Sequence, residues 1–243
     1  MKKSIALFIS LMLVLGLAAC GSDQQTQDTK APASESASET TPKSETSEES
    51  VSETTQDTGS NRLVVYFSMP ETSSPDNMTQ EEDNSAVVID GEVLGNTQYV
   101  AHVIQENTGA DIFRIEPETP YPTDHDTLVD LAADEQDQNA RPALKATIEN
   151  LDQYDTVFIG YPNWWGDMPM ILYSFFDEHD FSGKTIIPFN THGGSGFSNT
   201  INTIMELEPE ADVHEDGFTV SRNDVQDAEP DIISWIAENG FTD

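Results

Sequence analysis

The sequence predicts an α/β fold for residues 62–243, with a doubly wound parallel sheet of five strands. Short runs of β-branched residues alternate there with longer stretches of helical periodicity, which is the pattern of strands joined by crossover helices. The length of this part of the chain suits one domain with a sizeable core. The predicted strands are 62–68, 110–116, 155–160, 184–190 and approximately 211–220.

An insertion separates the first strand from the first long helix. The strand "RLVVYFS" ends at Ser68, whereas the helical pattern of residues 96–107 starts only after Gly95. Within residues 69–94, the segment "AVVIDGEVL" places Asp-Gly between two apolar runs, which is the commonest short hairpin signal. We therefore predict a polar loop and then a small hairpin that returns the chain to Gly95. The alternative is a disordered excursion.

The later helices are predicted at 125–149 in pieces, 168–178, 197–206 and 224–239. Residues 221–224 offer an N-cap for the last helix, and its apolar residues recur at mostly helical spacing. Those apolar residues are Val225, Ile232, Ile233, Trp235 and Ile236. This spacing favours a core-facing role for them over a role in a site.

Residues 1–20 have the pattern of a lipoprotein signal peptide. A charged start precedes an apolar run that is too short to span a membrane as a stable helix. The segment "LAAC" resembles the bacterial lipobox, whose cysteine, here Cys20, receives a diacylglycerol and becomes the new N-terminus. The alternative is an ordinary signal peptide with a chance cysteine. We expect an extracytoplasmic protein, lipid-anchored to the bacterial cell membrane.

Residues 21–61 are rich in Ser, Thr and Glu and contain no aromatic residue. Such a segment cannot bury enough apolar surface to fold, so a disordered linker is expected there. It would keep the folded domain near the membrane on a flexible tether.

Charge and cysteine content exclude several function classes. The formal net charge of the chain is −35, most of it in residues 62–243, which disfavours nucleic acid as a partner. Cys20 is the only cysteine, so the chain has neither a disulfide nor a dithiol redox pair. Any electron chemistry therefore requires a bound cofactor. The five histidines show no paired ligand spacing, so no metal site is predicted.

Three predicted loops should meet at one edge of the sheet, because ligands of open α/β sheets bind outside the carboxyl ends of the strands. The first combines "SMPET" with the distant "GNTQ". It brings hydroxyl and amide groups to a helix N-terminus, whose free N–H groups favour an anion. No lysine or arginine lies nearby in the sequence. A phosphate monoester is therefore predicted rather than a nucleoside triphosphate.

The other two loops suit a flat ring. "YPNWWGDMP" carries Trp164 and Trp165, whose indoles can stack on a conjugated ring, although one of them could simply cover the adjacent helix. "THGGSGF" offers glycines for close backbone approach to the other side of the same ligand. A hydrolase with His192 and Ser195 is not predicted, because Phe197 occupies the place of the last glycine in G-x-S-x-G.

The motifs "VVYFS…GNTQYVA", "DTVFIGYPNWWGDMPM" and "FSGKTIIPFNTHGGSGF" together resemble the flavodoxin-like family, in its subgroup with tandem-tryptophan and T-H-G-G-S-G loops. The resemblance covers nearly all of residues 62–243. It implies the strand order 2-1-3-4-5 and one noncovalent FMN. The family's S-x-[ST]-G-N-T loop is continuous, whereas residues 69–94 split it here.

Matching positions assign the FMN contacts that this resemblance implies. The phosphate would be bound by Ser68, Asn96 and Thr97, with Met69 at the start of the loop. The isoalloxazine and ribityl chain would be lined by Pro162, Asn163, Trp164, Trp165 and Gly166. The pyrimidine edge would be held by Thr191, His192, Gly193, Gly194 and Ser195. No residue is required as a general acid or base, because the flavin itself accepts the electrons.

Three functions remain open from the sequence. The leading hypothesis is an FMN-dependent electron carrier or oxidoreductase that passes electrons to a redox protein or a small acceptor at the outer face of the cytoplasmic membrane. Its acidic surface would oppose an anionic reduced flavin and lower the reduction potential. One alternative is an NAD(P)H-dependent quinone or nitro reductase, although no second nucleotide motif is present. The other is a binding lipoprotein that has lost the flavin.

Overall fold

The computed structural model describes residues 61–242. Its strands are β1 (Arg62–Tyr66), β2 (Ala86–Ile89), β3 (Glu92–Gly95), β4 (Asp111–Arg114), β5 (Thr156–Pro162), β6 (Thr185–His192), β7 (Asp212–Val213) and β8 (Phe218–Ser221). Its α-helices are α1 (Gln80–Ser85), α2 (Asn96–Thr108), α3 (His125–Asp137), α4 (Met170–Glu178), α5 (Thr200–Leu207) and α6 (Glu229–Glu238). Short 3₁₀ turns lie at Leu151–Gln153 and Val225–Asp227.

Six of these strands form one parallel sheet in the order β4-β1-β5-β6, with β7 and β8 both paired to the free edge of β6. The predicted α/β class with a parallel central sheet is confirmed. If β7 and β8 are taken as one position, the order is 2-1-3-4-5. Strands β2 and β3 pair only with each other, as an antiparallel hairpin.

The sheet is buried on both faces, as a doubly wound fold requires. Along β1, Leu63 and Val65 pack into one apolar cluster with α4, whereas Val64 and Tyr66 pack into a second cluster with α2 and α6. All four side chains are fully buried. Burial on both faces explains the continuous apolar run of this strand, because a parallel strand has no solvent-facing side.

The predicted fifth strand is two short strands, and Pro188 explains the interruption. His214 donates its backbone N–H to the Ile186 carbonyl at 2.8 Å. In this parallel register the next donor would be the nitrogen of residue 188, which as a proline has no hydrogen. The chain leaves the sheet there and pairs again at Phe218. It returns so closely that a Cβ on Gly217 would lie 2.3 Å from the Pro188 carbonyl oxygen.

The insertion is more ordered than the predicted polar loop. Helix α1 starts with a capping box, in which the Thr79 hydroxyl accepts from the Glu82 N–H and the Glu82 carboxylate accepts from the Thr79 N–H. This T-x-x-E spacing was a readable helix signal that the prediction missed. The β2–β3 turn has Asp90 at φ 52° and Gly91 at φ 88°. These values are those of a type I′ hairpin turn.

Several other element ends also differ from the prediction. β5 and β6 run two residues further, because Tyr161 and Pro162 still pair with Asn190 and Thr191. Helix α4 starts at 170, since the residue before Pro169 is kept out of the helical region. Helix α6 starts at 229, because a 3₁₀ turn occupies 225–227. Among residues 61–242, no helix combines the length and the apolar character needed to cross a bilayer.

Residues 1–60 lie outside the described part of the chain. The signal-peptide, lipidation and linker predictions concern those residues and stay predictions.

Candidate functional site

A cavity of about 310 Å³ lies at the carboxyl ends of β1, β5 and β6. Small-molecule sites in proteins span roughly 300–1,000 Å³, so this volume is within their range. All three predicted loops contribute to its walls. The predicted residues that line it are Ser68, Met69, Asn96, Thr97, Pro162, Asn163, Trp164, Trp165, Thr191, His192 and Gly193. The predicted residues Gly166, Gly194 and Ser195 lie in the same loops but do not line the cavity.

The two halves of the split loop meet despite the insertion. The hairpin β2–β3 returns the chain so that Gly95 packs against Ser68, which is only 4% exposed. A Cβ added to Gly95 would lie 2.2 Å from the Ser68 Oγ and 3.0 Å from the Pro70 Cδ. Glycine is therefore the only residue that fits at 95 without movement of the opposite half.

We expect Gly95→Ala to lower the free energy of unfolding by about 1–3 kcal/mol, the usual cost of overpacking. Chemical denaturation of the variant measures this loss. The double variant Gly95→Ala/Ser68→Ala lacks the hydroxyl that the new Cβ would meet, so part of the loss should be recovered. If the two single losses simply add, the contact between these residues is not the cause.

The first turn of α2 is joined to the end of β6. The hydroxyls of Thr97 and Thr191 lie 2.9 Å apart, and both side chains are buried. Residues predicted for the phosphate and for the ring edge are thus in direct contact. The backbone N–H groups at the start of α2 have no acceptor within the helix, so they are the donors that an anion could use.

Asn96 has a different environment from the predicted one. Its side-chain amide donates to the Asn84 carbonyl of the insertion at 2.8 Å. Its carbonyl oxygen is buried and has no hydrogen-bond partner within residues 61–242. This oxygen can only accept, and a phosphate dianion can only accept as well. A ligand hydroxyl suits this atom better than a phosphate oxygen does.

Trp165 occupies a strained turn at the cavity. Trp164 and Asp167 exchange backbone hydrogen bonds at 2.9 and 3.0 Å, with Trp165 at φ 55° and Gly166 at φ 80° between them. This is a two-residue type I′ turn, and a tryptophan in the left-handed region is unfavourable there. Its indole is 61% exposed, and its Nε1–H donates to the Val129 carbonyl of α3 at 3.2 Å. The turn therefore holds an exposed aromatic face at the cavity.

Trp164 is half-buried and packs against aromatic residues of the core. Its ring packs edge-on against Phe67 and Tyr121, with centroid distances of 5.5 and 5.8 Å. The Tyr121 hydroxyl donates to Glu135, and burial is the main cause that raises the pKa of Tyr121. Both indoles line the cavity, but Trp164 also packs against Phe67 and Tyr121, whereas Trp165 is mostly exposed.

Asn163 connects the second and third loops. Its side-chain amide donates to the Gly196 carbonyl at 2.9 Å, and its Oδ1 accepts from the Gly166 N–H at 3.1 Å. Asn190 also donates to the Gly196 carbonyl, at 2.9 Å. Asn163 lines the cavity, where its role as a ligand contact stays a prediction, and these bonds join the second and third loops.

The third loop does not contain a hydrolytic pair. The His192 Nδ1 accepts from the Gly194 N–H at 2.8 Å, so this nitrogen carries no hydrogen. Burial is the main cause that lowers the pKa of His192, which agrees with a neutral ring. No hydrogen bond joins His192 to Ser195 within residues 61–242, and a hydrolase remains unpredicted for the sequence reason given above.

Nine residues line the cavity that were not predicted from the sequence. They are Glu71, Glu81, Asn84 and Ser85 of the insertion, His125, Leu128, Val129 and Ala132 of α3, and Arg222. Leu128 and Ala132 recur at helical spacing, which was a usable signal. No lysine or arginine adjoins the first loop in the sequence, but the fold brings a distant arginine, Arg222, to the cavity. Arg222 follows β8, and the pairing of His192 with Ser221 brings it to the cavity.

The insertion is fastened to α3 by an acidic residue and a histidine. The Glu71 carboxylate lies 3.0 Å from the His125 Nδ1 and is 8% exposed. The Glu71 N–H donates to the Ser85 Oγ at 2.9 Å. The hydrogen bond to Glu71 is the main cause that raises the pKa of His125, and burial opposes it.

This pair should make stability depend on pH. A histidine whose pKa is raised in the folded state stabilises fully below its unfolded pKa, about 6.5, and loses that contribution as the pH rises through the folded value. We expect the difference in unfolding free energy between the wild type and Glu71→Gln to be largest near pH 5.5 and to shrink toward pH 8.5. Denaturant titrations at both pH values measure it. A difference that grows with pH would contradict the assignment.

Within residues 61–242, no group of three or more His, Cys, Asp or Glu side chains is arranged to hold a metal ion. The groups that the cavity offers to a ligand are hydroxyl, amide and backbone donors, together with an exposed indole. Together with the doubly wound parallel sheet, this cavity at the strand ends defines a flavodoxin-like α/β protein.

The chain belongs to the flavodoxin family, whose model matches residues 86–238. The match begins at β2, so it includes Gly95 and Thr97 but neither β1 nor Ser68. No curated protein matches the chain.

The solved structures that are similar to this chain include two bacterial proteins. A protein of Bacteroides eggerthii that is classed as a flavoprotein is 29% identical, with a TM-score of 0.56 over 73% of this chain and 96% of its own. A second protein so classed, from Bacteroides uniformis, is 27% identical, with a TM-score of 0.54 over 72% of this chain and 97% of its own. These similarities extend over almost the whole length of both relatives.

Proposed function

We propose that this chain binds one FMN noncovalently in the cavity and carries electrons at the outer face of the cytoplasmic membrane. The observation that carries the proposal is the exposed indole of Trp165 at a cavity that is also lined by Asn96 and Thr97 of the first turn of α2. Membership of the flavodoxin family supports it, as do the two similar structures that are classed as flavoproteins.

The residues of the cavity fit the chemical groups of FMN. Backbone N–H groups at the start of α2 and the Ser68 hydroxyl are donors for a phosphate. The unpaired Asn96 Oδ1 is an acceptor for a ribityl hydroxyl, which is a group that a bare aromatic ligand would lack. Gly193 of the third loop also lines the cavity. When bound, FMN supplies the electron chemistry, because it accepts one or two electrons.

The protein's own contribution is to bind the flavin, to orient its ring and to exclude water from part of the cavity. The hydrogen bond from Trp165 to Val129 fixes the indole plane, and Asn163 holds the second and third loops at a constant separation. Leu128 and Ala132 provide an apolar wall that keeps water from one side of the cavity. No side chain needs to transfer a proton for this function.

A titration of the full chain with FMN tests the proposal. The purified protein in detergent should show flavin absorbance near about 370 and 450 nm, the bands of the cofactor itself, and should quench FMN fluorescence on binding. A chain that takes up no FMN would support the flavin-free binding lipoprotein instead. Rapid bleaching of bound FMN by NADPH alone, without oxygen, would favour the quinone or nitro reductase.

We also propose that Cys20 carries the lipid that places the domain at the membrane. The lipobox-like "LAAC" segment supports this proposal, and residues 21–61 would be the tether. Metabolic labelling with a palmitate analogue should mark the wild type but not Cys20→Ala. Equal labelling of both chains would refute the anchor without affecting the FMN proposal.

A further inference from the structure

Arg222 is distinct among the cations of residues 61–242. Every other lysine and arginine there has its charged group bonded to a carbonyl or a carboxylate of the protein. These are Arg62 with Phe241, Arg114 with Ser68, Arg141 with Asp177, Lys145 with Glu116 and Lys184 with Tyr154. Within the same residues, the Arg222 guanidinium has no hydrogen bond or ion pair, although it lines the cavity.

The backbone places Arg222 on the same face of the sheet as α2. Phe218 and Val220 of β8 pack into the cluster formed with α2 and α6. Side chains alternate along a strand, and the Arg222 N–H continues the ladder by donating to the His192 carbonyl at 2.8 Å. Residue 222 is thus the next one on this face. Thr191 is also on this face, where it contacts Thr97 in the first turn of α2.

The guanidinium lies flat against Gly193. A Cβ built on Gly193 would be 3.4, 3.5 and 3.6 Å from the Cζ, Nη1 and Nε of Arg222. Three such similar distances mean that the plane of the guanidinium faces this glycine. The guanidinium is thus in van der Waals range of the space that a Cβ at residue 193 would occupy, beside the third loop at the cavity.

A second observation marks the adjoining start of α2 as a ligand site. Asn96 is 6% exposed, lines the same cavity, and has a buried carbonyl oxygen without a partner in the described residues. A helix N-terminus with an unpaired buried side-chain atom and a free cation nearby is suited to a ligand that has both a hydroxyl and an anionic group.

We propose that Arg222 forms an ion pair with the phosphate of FMN at the start of α2. This proposal rests on the proposed function and corrects the expectation that the phosphate is bound without a cation. A guanidinium can bind a phosphate through two parallel hydrogen bonds, which gives orientation as well as affinity. Glu71 and Glu81 also line the cavity and would repel a phosphate, so a cation in the same cavity would offset them.

The test compares FMN with riboflavin, which lacks only the phosphate. In full-chain Arg222→Gln we expect the Kd for FMN to rise roughly ten- to a hundredfold, the range for a charge-assisted hydrogen bond. The Kd for riboflavin should stay within about twofold. Arg222→Lys keeps the positive charge but cannot form two parallel hydrogen bonds, so it should recover part of the FMN affinity. Arg141→Gln, which removes a surface cation paired with Asp177, is the matched control and should leave both Kd values unchanged.

An equal loss of FMN and riboflavin affinity would overturn the proposal, since Arg222 would then support the loop or touch the ring. An unchanged FMN affinity would overturn it as well.

Inorganic phosphate gives a readout that needs no flavin. It should raise the melting temperature of the wild-type chain but not of Arg222→Gln. If phosphate acts in this way while no flavin binds, the anion site stands and the FMN function fails. If flavin binds but phosphate has no Arg222-dependent effect, the FMN function stands and the anion site at Arg222 fails.

Discussion

Replacement of Trp165 by asparagine is expected to weaken FMN binding while leaving the stability of the flavin-free chain almost unchanged. Stacking of a flat base on an aromatic side chain contributes about 1–3 kcal/mol, which is roughly five- to 150-fold in Kd. Fluorescence titration with FMN measures this change. Riboflavin should lose affinity by a similar factor, because the stacked ring is common to both ligands.

The unchanged stability follows from the backbone of the turn. At φ 55°, Trp165 is in the left-handed region, which asparagine adopts more readily than an aromatic residue does. That gain offsets the lost hydrogen bond to Val129, a net contribution of about 0.5–1.5 kcal/mol. A Trp165→Asn chain that unfolds far more easily than the wild type would show that the indole is a structural residue, and the proposed FMN contact would lose its main support.

Trp164→Ala should have the opposite profile, with a loss of about 3 kcal/mol in the free energy of unfolding. This is the lower end of the range for tryptophan to alanine, as suits a half-buried side chain. The lost contacts are those with Phe67 and Tyr121, which connect β1 to the segment before α3. Thermal and denaturant unfolding of the flavin-free chain measure the effect.

Trp164→Phe is the matched control for this loss. It keeps a ring against Phe67 and Tyr121, so it should retain more than half of the stability that alanine removes. Its FMN affinity should stay near that of the wild type. If Trp164→Phe bound FMN as poorly as Trp165→Asn while remaining stable, the roles of the two indoles would have to be exchanged.

The parts of the fold that local patterns determine could be predicted from the sequence. The alternation of apolar runs with helical periodicity gave the parallel sheet, and Asp90-Gly91 lies at the hairpin turn of the structure. The interruption at Pro188 could not be located in this way. It depends on which neighbour the missing N–H would have faced, and this is a property of the register between β6 and β7.

The residues of the candidate site also divide into those that local sequence patterns identify and those that depend on tertiary contacts. Residues at or shortly after the end of a strand, such as Ser68 and Trp165, were identifiable because strand ends meet at one edge of the sheet. Arg222 also follows a strand, but β8 was only approximately placed, so its neighbours were unknown. Glu71 and Asn84 lie in an insertion whose path depends on its own contacts with α3 and α2. No spacing in the sequence encodes such contacts.

The split of the first loop has a thermodynamic consequence. Ser68 and Gly95 are the two ends of a closed chain segment, and closing a segment of this length costs about 2–3 kcal/mol of chain entropy beyond a tight turn. A ligand that contacts both ends stabilises the closed segment, because it binds only while the two ends are together. Ligand affinity and the order of the insertion must then rise and fall together, since linkage between two equilibria is reciprocal. Substitutions in the β2–β3 turn, at Asp90 or Gly91, would then change the Kd of such a ligand.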